Sequence, residues 1–292
     1  MDIERRVASP AVALETTLIL HGVPRDAALP LVDQLGDAVR ASGANPALVG
    51  VIAGKPTVGL TRHEIEDLLA ASKVPKANTS NLGVLMHRKS HAATTVSTTM
   101  EIASGAGLRV FATGGLGGVH KGFSEHLDIS SDLAALARTP MVVVCSGVKS
   151  ILDVASTREL LETLGVTVVG YRTDTFPAFY LRDAGSSVDV RMDDAKEIAA
   201  FASHELARSG RAIVVANPVP IDHELTQQDW DEYMERARAH VERTDSSAYG
   251  RNATPALLAA LHETSGGRTL TANIALAVSN AGLAGKIAAA MK

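Results

Sequence analysis

Cysteine is nearly absent from this sequence, because Cys145 is the single one among 292 residues. A chain with one thiol forms no internal disulfide, which excludes the disulfide-stapled secreted folds and fits a reducing compartment. The N-terminal stretch is charged from its second residue and has no apolar segment of signal-peptide length. We therefore expect a cytoplasmic protein.

Long hydrophobic runs and an excess of basic residues are also missing. No apolar stretch approaches the roughly 20 residues that a membrane span needs, so we expect no membrane insertion. The formal net charge of −4 argues against a broad nucleic-acid surface, although a single phosphate needs only a local pocket. The 46% hydrophobic and 21% charged residues that are present predict a globular protein with a full core.

Apolar runs suited to buried strands alternate with helical periods, which predicts an α/β fold. The predicted strands cover residues 12–20, 48–52, 108–111, 141–145, 166–171 and 212–216. The predicted helices cover 27–41, 62–71, 94–106, 153–164 and 194–208, followed by 227–243, 254–263 and 271–291. No repeat or long linker divides the chain, so we predict a single domain over residues 1–292.

A glycine-rich segment follows one predicted strand, and residues 113–122 contain five glycines. Glycines at this density let backbone N–H groups approach a ligand closely, often a phosphate or a carboxylate. Their spacing matches neither the dinucleotide fingerprint nor the P-loop. The alternative is a tight structural loop, but the company of Thr113, His120 and Lys121 favours a binding loop.

The next polar segment combines a helix start with a carboxylate. Ser130 or Ser131 is placed to cap the helix that follows. A helix N-terminus also favours an anion, so the same geometry suits a phosphate. Asp128 comes just before the cap, where a carboxylate can hold a hard divalent cation through oxygen and water ligands.

Two charged residues accompany predicted buried strands. Lys149 follows the strand at 141–145, at the edge where open α/β sheets place ligands, and a desolvated lysine there is a candidate nucleophile. Glu15 interrupts the apolar run at 12–20. It is either turned to solvent or held in a site, where burial would raise its pKa and make it a usable proton donor.

Two further polar residues leave alternatives open. His21 closes the first predicted strand, and a lone histidine there is more often a structural group than a catalyst. Asn273 opens an apolar helix, where its amide either caps the helix or projects into a pocket.

Taken together, these segments resemble the pseudouridine-5′-phosphate glycosidase family, also called the indigoidine synthase A-like family. The resemblance runs in order from about Ala13 to Ala284. Its marks are ALETTLILHG, GANPA, TVGL, AATTVSTTM, FATGGLGGVHKG, DISSDL, SGVKSILD, LETLGV, PAFY, NPVP, TPALL and ANIAL. No single word is decisive, whereas the ordered set is highly specific.

The resemblance implies a three-layer α/β/α sandwich that assembles as a homotrimer and uses Mn²⁺, with Mg²⁺ as the alternative. It implies that Glu15 is the proton donor, that Lys149 forms a Schiff base and that Asp128 binds the metal. The remaining residues matched to substrate contacts are Lys76, Val96, Ser130, Ser131, Asp132 and, near the aglycone, Asn273. Thr113 and His120 join them as candidate substrate-binding residues of the glycine-rich loop.

This sequence departs from the family pattern beside one of those residues. The family motif K-x-S-R-R-D-L reads KANTSNL at residues 76–82 here, so both arginines and the aspartate are replaced. Ala92 stands where the family usually has Gly, and Ala256 stands where it has Phe. These changes leave the sugar-phosphate positions intact and predict an altered aglycone.

The residues and the resemblance together predict an enzyme that makes or breaks the carbon–carbon bond between C1 of ribose 5-phosphate and an aglycone ring carbon. The altered motif favours a C-glycosynthase that attaches ribose 5-phosphate to an aromatic polyketide in antibiotic biosynthesis, as in the alnumycin branch of the family. The alternative is a pseudouridine-5′-phosphate glycosidase with a pyrimidine aglycone. A non-catalytic sugar-phosphate sensor is a further alternative, although a sensor has no need of Glu15 and Lys149 together.

Overall fold

The computed structural model of the chain describes residues 1–244 and 253–291. Its strands are β1 Glu4–Arg5, β2 Ala11–Glu15, β3 Asn45–Ile52, β4 Lys55–Val58, β5 Lys76–Ala77, β6 Ala92–Thr94, β7 Val110–Ala112, β8 Val142–Cys145, β9 Thr167–Tyr171, β10 Val190–Met192 and β11 Ile213–Ala216. Its helices are α1 Thr16–His21, α2 Arg25–Ala41, α3 Arg62–Ala70, α4 Leu82–His87, α5 Val96–Gly105, α6 Phe123–His126, α7 Ser131–Leu136, α8 Val154–Thr163, α9 Ala195–Ser209, α10 Gln227–Thr244, α11 Ala253–Thr264 and α12 Arg268–Ala290.

The strands form one sheet in the order β1-β4-β3-β2-β7-β8-β11-β9-β10, with β6 pairing to both β3 and β5. The strands from β3 through β2 to β10 pair in parallel, whereas β4 and β6 run antiparallel to β3. Parallel strands need crossover connections, which the intervening helices supply. The carboxyl ends of β2, β7 and β8 therefore lie side by side.

Side chains of the central strands alternate between two hydrophobic cores. Val142 and Val144 of β8 enter one core, and Val143 and Cys145 enter the other. The first core contains the buried faces of α2, α9 and α12, and the second contains those of α5, α7 and α8. Helices thus cover both faces of the sheet, and the predicted three-layer α/β/α arrangement is confirmed.

The apolar run at residues 12–20 is the clearest error of the sequence-based prediction. The strand ends at Glu15 and the chain continues as helix α1. Thr16 Oγ1 donates to the carbonyl of Val49 and accepts the backbone N–H of Thr94. A short continuous apolar run does not by itself distinguish a buried strand from a helix, so the departure depends on these tertiary contacts.

The other predicted strands are found to within a few residues, as are the predicted helices of the first 210 residues. The short strands β1, β4, β5, β6 and β10 were not predicted, because their segments ER, KPTV, KA, AAT and VRM do not form the continuous apolar runs that marked β7, β8 and β11. Within the two described stretches, no helix has both the length and the hydropathy for a transmembrane segment.

Candidate active site

Three neighbouring strands end at the candidate site. Glu15 is the last residue of β2, Thr113 directly follows β7, and Lys149 lies four residues beyond β8. The pairing of Leu14 with Ala112, and of Ala112 with Val144, brings these strand ends together. Open α/β sheets bind ligands at this edge because the carboxyl ends of parallel strands leave a crevice between their loops.

Glu15 is a buried carboxylate held by a short hydrogen bond, which Thr113 Oγ1 donates to Glu15 Oε1. Burial raises the pKa of Glu15, while the positive charge of Lys149 and the Thr113 hydrogen bond act in the opposite direction. The side chain therefore belongs to a site and is not turned to solvent. Its raised pKa suits a group that gives and takes protons near neutrality.

Lys149 is half-buried in a loop whose backbone is tied to the glycine-rich loop. Leu116 N–H donates to Gly147 O over 2.9 Å, and Lys149 N–H donates to Leu116 O over 3.1 Å. Ser146 N–H also donates to Gly114 O over 2.9 Å. These bonds fix the lysine backbone beside the loop that carries Thr113.

The glycine-rich loop serves chiefly as a packing element. Glycine is needed at Gly115 because a Cβ would collide with the Phe179 ring, and at Gly117 because it would collide with Ser130 Oγ. Of the five glycines, Gly117 alone lines the cavity described below, where its N–H donates to Asp132 Oδ2. The glycines therefore fit the alternative of a tight structural loop, while Gly117 and His120 of the same segment line the cavity, and ligand binding by this loop stays a prediction.

Lys76 lies in the short strand β5, and its amine faces the same site. Burial and the positive charge of Lys149 lower the pKa of Lys76 to about 8, while the charge of Glu15 acts in the opposite direction. Two lysines thus lie within electrostatic range of one carboxylate. A lysine with a lowered pKa carries a larger fraction of free amine near neutrality than an exposed one.

Ser130 and Asp132 organise the start of α7. Ser130 is the N-cap, and its Oγ accepts the N–H of Asp132 over 3.2 Å, which confirms the predicted capping. The buried Asp132 carboxylate accepts the N–H of Ser97 at 3.0 Å through Oδ1 and that of Gly117 at 2.9 Å through Oδ2. Asp132 therefore holds α5, α7 and the glycine-rich loop together, in addition to facing the cavity.

Hydroxyl groups surround this helix start. Ser131 Oγ lies 3.2 Å from Ser97 Oγ, which lies 3.1 Å from Thr95 Oγ1. Val96, the first residue of α5, is buried and contributes to the cavity wall. Such hydroxyls can donate to phosphate or sugar oxygens.

Asp128 is a partly exposed carboxylate at the rim. Its Oδ2 lies 3.7 Å from His120 Nδ1, and 47% of its side chain is accessible to solvent. Among residues 1–244 and 253–291, no cluster of three or more His, Cys, Asp or Glu side chains could hold a metal ion. The donors present fit a hard cation that takes one carboxylate oxygen and fills its other positions with water or substrate oxygens.

One cavity of about 940 Å³ brings most of the predicted residues together. Its lining includes Glu15, Lys76, Val96, His120, Asp128, Ser130, Ser131, Asp132 and Lys149. Thr113 and Asn273 do not line the cavity. Thr113 donates a hydrogen bond to the lining residue Glu15. Asn273 is buried on α12 and donates to the carbonyl of Gly22, which follows the lining residue His21. Arg25 and Lys73 also line the cavity, so its basic groups favour an anionic ligand.

Several lining residues were missed or undervalued in the sequence. Thr17 and His21 lie one turn apart on α1 and both face the cavity. His21 was expected to be a structural group more often than a catalyst; it lines the cavity, and its role stays a prediction. Recognising that the chain turns helical after Glu15 would have identified both residues, since i and i+4 positions share a helix face.

Asn280 is a further residue without a signal in the sequence. It is fully buried on α12, where its Nδ2 donates to Thr113 O over 2.8 Å and to Ser146 Oγ over 3.1 Å. Its Oδ1 accepts Asn217 Nδ2 over 2.9 Å. This amide therefore connects the origins of the two loops that carry Thr113 and Lys149.

The altered motif at residues 76–82 forms a self-contained turn. Asn78 Oδ1 accepts the N–H and the hydroxyl of Ser80, and Asn81 closes the turn on the backbone of Lys76 and Asn78. Asn78 and Ser80 line the cavity, so the departure from the family motif lies at the site. Ala92 is buried in β6 away from the lining, and the surroundings of the Ala256 side chain lie outside the described residues.

The fold and the cavity together define an α/β enzyme site in which a buried glutamate and two lysines face one basic pocket. The model of the family described as indigoidine synthase A like protein matches residues 4–290. The chain belongs to this family.

Relatives named pseudouridine-5′-phosphate glycosidase are similar along nearly their whole length. The one from Kosmotoga olearia is 45% identical over 97% of this chain and 96% of its own, and the one from Nocardioides sp. is 43% identical over 97% and 92%. Among solved structures, the indigoidine synthase A-like protein of Thermotoga maritima is 36% identical with a TM-score of 0.89, over 98% of this chain and 95% of its own. The prealnumycin C-glycosynthase AlnA in complex with ribulose 5-phosphate is 35% identical with a TM-score of 0.88, over 99% and 97%.

Proposed function

We propose that this protein is a pseudouridine-5′-phosphate glycosidase, which splits its substrate into uracil and ribose 5-phosphate. The observation that carries the proposal is the shared cavity in which Glu15, Lys76 and Lys149 lie together. Relatives of that name at 43–45% identity support the substrate. This assignment replaces the antibiotic C-glycosynthase that the altered motif at residues 76–82 favoured.

The bond in question joins two carbons, and a carbon leaving group resists the two-carboxylate route of ordinary glycosidases. An amine at C1 of the sugar supplies the electron sink that such a cleavage needs. In the proposed reaction, the Lys149 amine bonds to C1 while the C1–O4 bond breaks and the furanose opens. The nitrogen lone pair then forms an imine as the C1–C5 bond to uracil breaks, and the released electron pair stays on the uracil carbon.

Glu15 is the proton carrier in this proposal. It gives a proton to the sugar oxygen as the ring opens, and a proton must also reach uracil C5 as that carbon leaves. Water then hydrolyses the imine, which releases ribose 5-phosphate and returns the Lys149 amine. The raised pKa of Glu15 supports this role, because burial keeps a protonated fraction available.

The phosphate of the substrate is assigned to the basic and hydroxyl-rich side of the cavity. Ser130 and Ser131 supply hydroxyls at the start of α7, and Lys76 supplies positive charge. A substrate that lacks the phosphate should therefore react far more slowly. His120 and Asp132 belong to the same wall, where Asp132 fixes the loop that carries Gly117.

Asp128 would hold Mn²⁺ or Mg²⁺ at the rim, with His120 beside it. A bound divalent cation would supply positive charge next to an anionic substrate. Waters and substrate oxygens would fill the remaining positions of such an ion.

The test is direct. The purified protein is incubated with pseudouridine 5′-phosphate and Mn²⁺, and uracil and ribose 5-phosphate are quantified by chromatography. Release of the two products in equal amounts, and none from unphosphorylated pseudouridine, is the expected result. Binding of ribose 5-phosphate without any turnover would instead favour the sugar-phosphate sensor.

A second candidate is a C-glycosynthase that couples ribose 5-phosphate to a larger aromatic aglycone. It is favoured by Asn78 and Ser80, which replace family residues and line the cavity, and by the likeness to AlnA. Coupling and cleavage use the same residues in opposite directions. Formation of a carbon-linked adduct from ribose 5-phosphate and an electron-rich polycyclic phenol, without release of uracil from pseudouridine 5′-phosphate, would select this candidate.

The homotrimer implied by the family stays a prediction. Sedimentation velocity of the purified protein measures its oligomeric state, and a single species with the mass of three chains is the expected result.

A further inference from the structure

Asn280 is a fully buried amide on α12 whose neighbours along the helix are apolar. Leu276, Ala277, Ala281 and Ala284 are buried in the same core. A buried amide costs free energy unless its polar atoms are paired, and an apolar side chain of similar size fills the same space without that cost. The core packing of α12 therefore gives no reason for an amide at this position.

The amide instead joins the ends of three neighbouring strands. Its Nδ2 donates to Thr113 O over 2.8 Å, just beyond β7, and to Ser146 Oγ over 3.1 Å, just beyond β8. Its Oδ1 accepts Asn217 Nδ2 over 2.9 Å, just beyond β11. Only the NH₂ group can donate to the Thr113 carbonyl, so these contacts fix which way the amide points.

The bond to Thr113 bears on the Glu15 carboxylate. The Thr113 N–H donates to Val144 O over 3.0 Å and the Thr113 carbonyl accepts the Asn280 amide, so the peptide groups on both sides of Thr113 are held. A threonine side chain has few χ1 rotamers, and its backbone therefore sets where its hydroxyl points. In this structure the hydroxyl donates to Glu15 Oε1.

The bond to Ser146 bears on the loop that carries Lys149. Ser146 begins this loop directly after β8, where its N–H donates to Gly114 O over 2.9 Å and its carbonyl accepts the N–H of Phe179 over 2.8 Å. Lys149 follows further along the same loop. The NH₂ group of Asn280 thus donates to the root of both loops.

We propose that Asn280 is a positioning residue, which holds the Thr113 hydroxyl against Glu15 and fixes the Lys149 loop beside it. The proposal rests on the proposed function for the roles of Glu15 and Lys149. Asn280 does not line the cavity, so it acts on the reaction through these residues and not through a contact with the substrate.

The first measurement is the pKa of Glu15, which requires no turnover. Isotope-labelled glutamate carboxyl carbons are followed by NMR as the pH changes, and the Glu15 signal is identified by its loss in Glu15→Gln. Asn280→Leu removes the donor to Thr113 O, so the hydrogen bond from Thr113 to the carboxylate weakens and the charged form is less stable. The pKa of Glu15 should rise by roughly half to one pH unit, and an unchanged pKa would overturn the proposal. Asn280→Ala removes the same hydrogen bonds without added bulk and serves for the same measurement if the leucine does not fit.

A double variant tests the route through Thr113. The charged groups that act on Glu15 are Lys149, Asp132 and Lys76. Thr113→Val and Asn280→Leu leave all of these charges in place. If Asn280 acts through Thr113, Asn280→Leu should shift the pKa of Glu15 no further in the Thr113→Val background. A second shift of full size would contradict this route.

Turnover tests the consequence for catalysis. In Asn280→Leu, kcat for the release of uracil should fall about tenfold or more because the reacting groups are misplaced, while KM should stay within about twofold because the cavity wall is unchanged. A raised KM with an unchanged kcat would assign Asn280 to substrate binding and contradict the positioning role.

Ser146→Ala tests the second loop. It removes one hydroxyl and keeps the bond from Asn280 to Thr113. Borohydride trapping of ribose 5-phosphate at Lys149 should therefore slow about three- to tenfold, while the pKa of Glu15 should not change. Trapping at the original rate would contradict the role of Asn280 in fixing the Lys149 loop.

Leu283→Ala is the matched control for a loss of stability. Leu283 is buried on the same helix and has no polar side-chain group. Its truncation should lower Tm and leave the pKa of Glu15 and kcat as in the unaltered protein. Equal changes in Leu283→Ala and Asn280→Leu would identify the effect as general destabilisation and overturn the proposal.

The two proposals fail in different ways. If the unaltered protein releases no uracil, the glycosidase is contradicted, while the pKa of Glu15 still decides the role of Asn280. If uracil is released and Asn280→Leu matches the unaltered protein in both pKa and kcat, the positioning role is contradicted and the glycosidase stands.

Discussion

Thr113 donates its hydroxyl hydrogen to the Glu15 carboxylate, which joins the first residue of the glycine-rich loop to the last residue of β2. The Thr113 carbonyl in turn accepts the amide of Asn280 from α12. The position of the carboxylate thus depends on three elements that are far apart in the sequence.

Removal of the Thr113 hydroxyl should raise the pKa of Glu15. A hydrogen bond donated to a carboxylate stabilises its charged form, so its loss favours the protonated form. In Thr113→Val, the limb of the pH profile of kcat/KM that reports Glu15 should move to higher pH, with activity reduced about tenfold. Thr113→Ser keeps the hydroxyl and should keep the limb in place, whereas equal profiles in both variants would contradict the coupling.

Lys149 should carry the covalent intermediate. Borohydride reduction in the presence of ribose 5-phosphate should add the mass of the reduced sugar to the peptide that contains Lys149. Lys149→Ala should lose both the adduct and about a thousandfold or more of the activity. Lys76→Ala is the matched comparison, because it removes the other cavity lysine, and an adduct found on Lys76 in the unaltered protein would exchange the two roles.

Lys76 should set an alkaline limit on activity. Its pKa is lowered to about 8, so its positive charge is lost as the pH rises through that value. If the ammonium contacts the substrate phosphate, kcat/KM should fall above about pH 8. Lys76→Arg keeps its charge at all working pH values and should remove that limb. An unchanged profile in the arginine variant would assign the limb to another group.

Lys76 should also destabilise the folded protein at neutral pH. Its pKa lies lower in the folded state, at about 8, than the 10.5 of an unperturbed lysine. Below pH 8 the Lys76 amine is protonated in both the folded and the unfolded state, so the full cost of burying its charge lowers the free energy of unfolding. Between these two values the unfolded chain binds more protons, so the contribution of this group to the free energy of unfolding rises with pH.

Lys76→Met should therefore raise the free energy of unfolding at pH 7 by roughly 1–3 kcal/mol, while impairing activity. Urea denaturation at pH 7 and pH 10 measures this, and the difference between variant and unaltered protein should shrink at the higher pH. A variant that is less stable at pH 7 would contradict the unfavourable charge.

Asp128 should be the protein ligand of the divalent cation. Asp128→Ala should lower both the bound Mn²⁺, measured by atomic absorption after equilibrium dialysis, and the rate of product formation. Asp222→Ala, which removes an exposed carboxylate outside the cavity, is the control. Full activity of the unaltered protein after thorough chelation would count against a metal requirement.

The sequence by itself determined most of the layers of this protein. Strands such as β8 and β11 are short apolar runs that can only be buried, and helices such as α2 and α9 repeat their apolar residues with the period of a helix. Ordered local motifs also singled out Glu15, Lys149 and Asp128 as candidate site residues, and the three line one cavity in the structure. These properties are encoded in short local stretches of the chain.

Only the tertiary structure decided which polar atoms meet. The hydroxyl of Thr16 pairs with the backbone of Val49 and Thr94, and α1 begins where the sequence predicted more strand. The Asn280 amide reaches Thr113 across 167 positions, and Asn273 reaches Gly22 across 251. No local pattern encodes such contacts, because each hydrogen bond depends on two segments that come together only when the helices pack on the sheet.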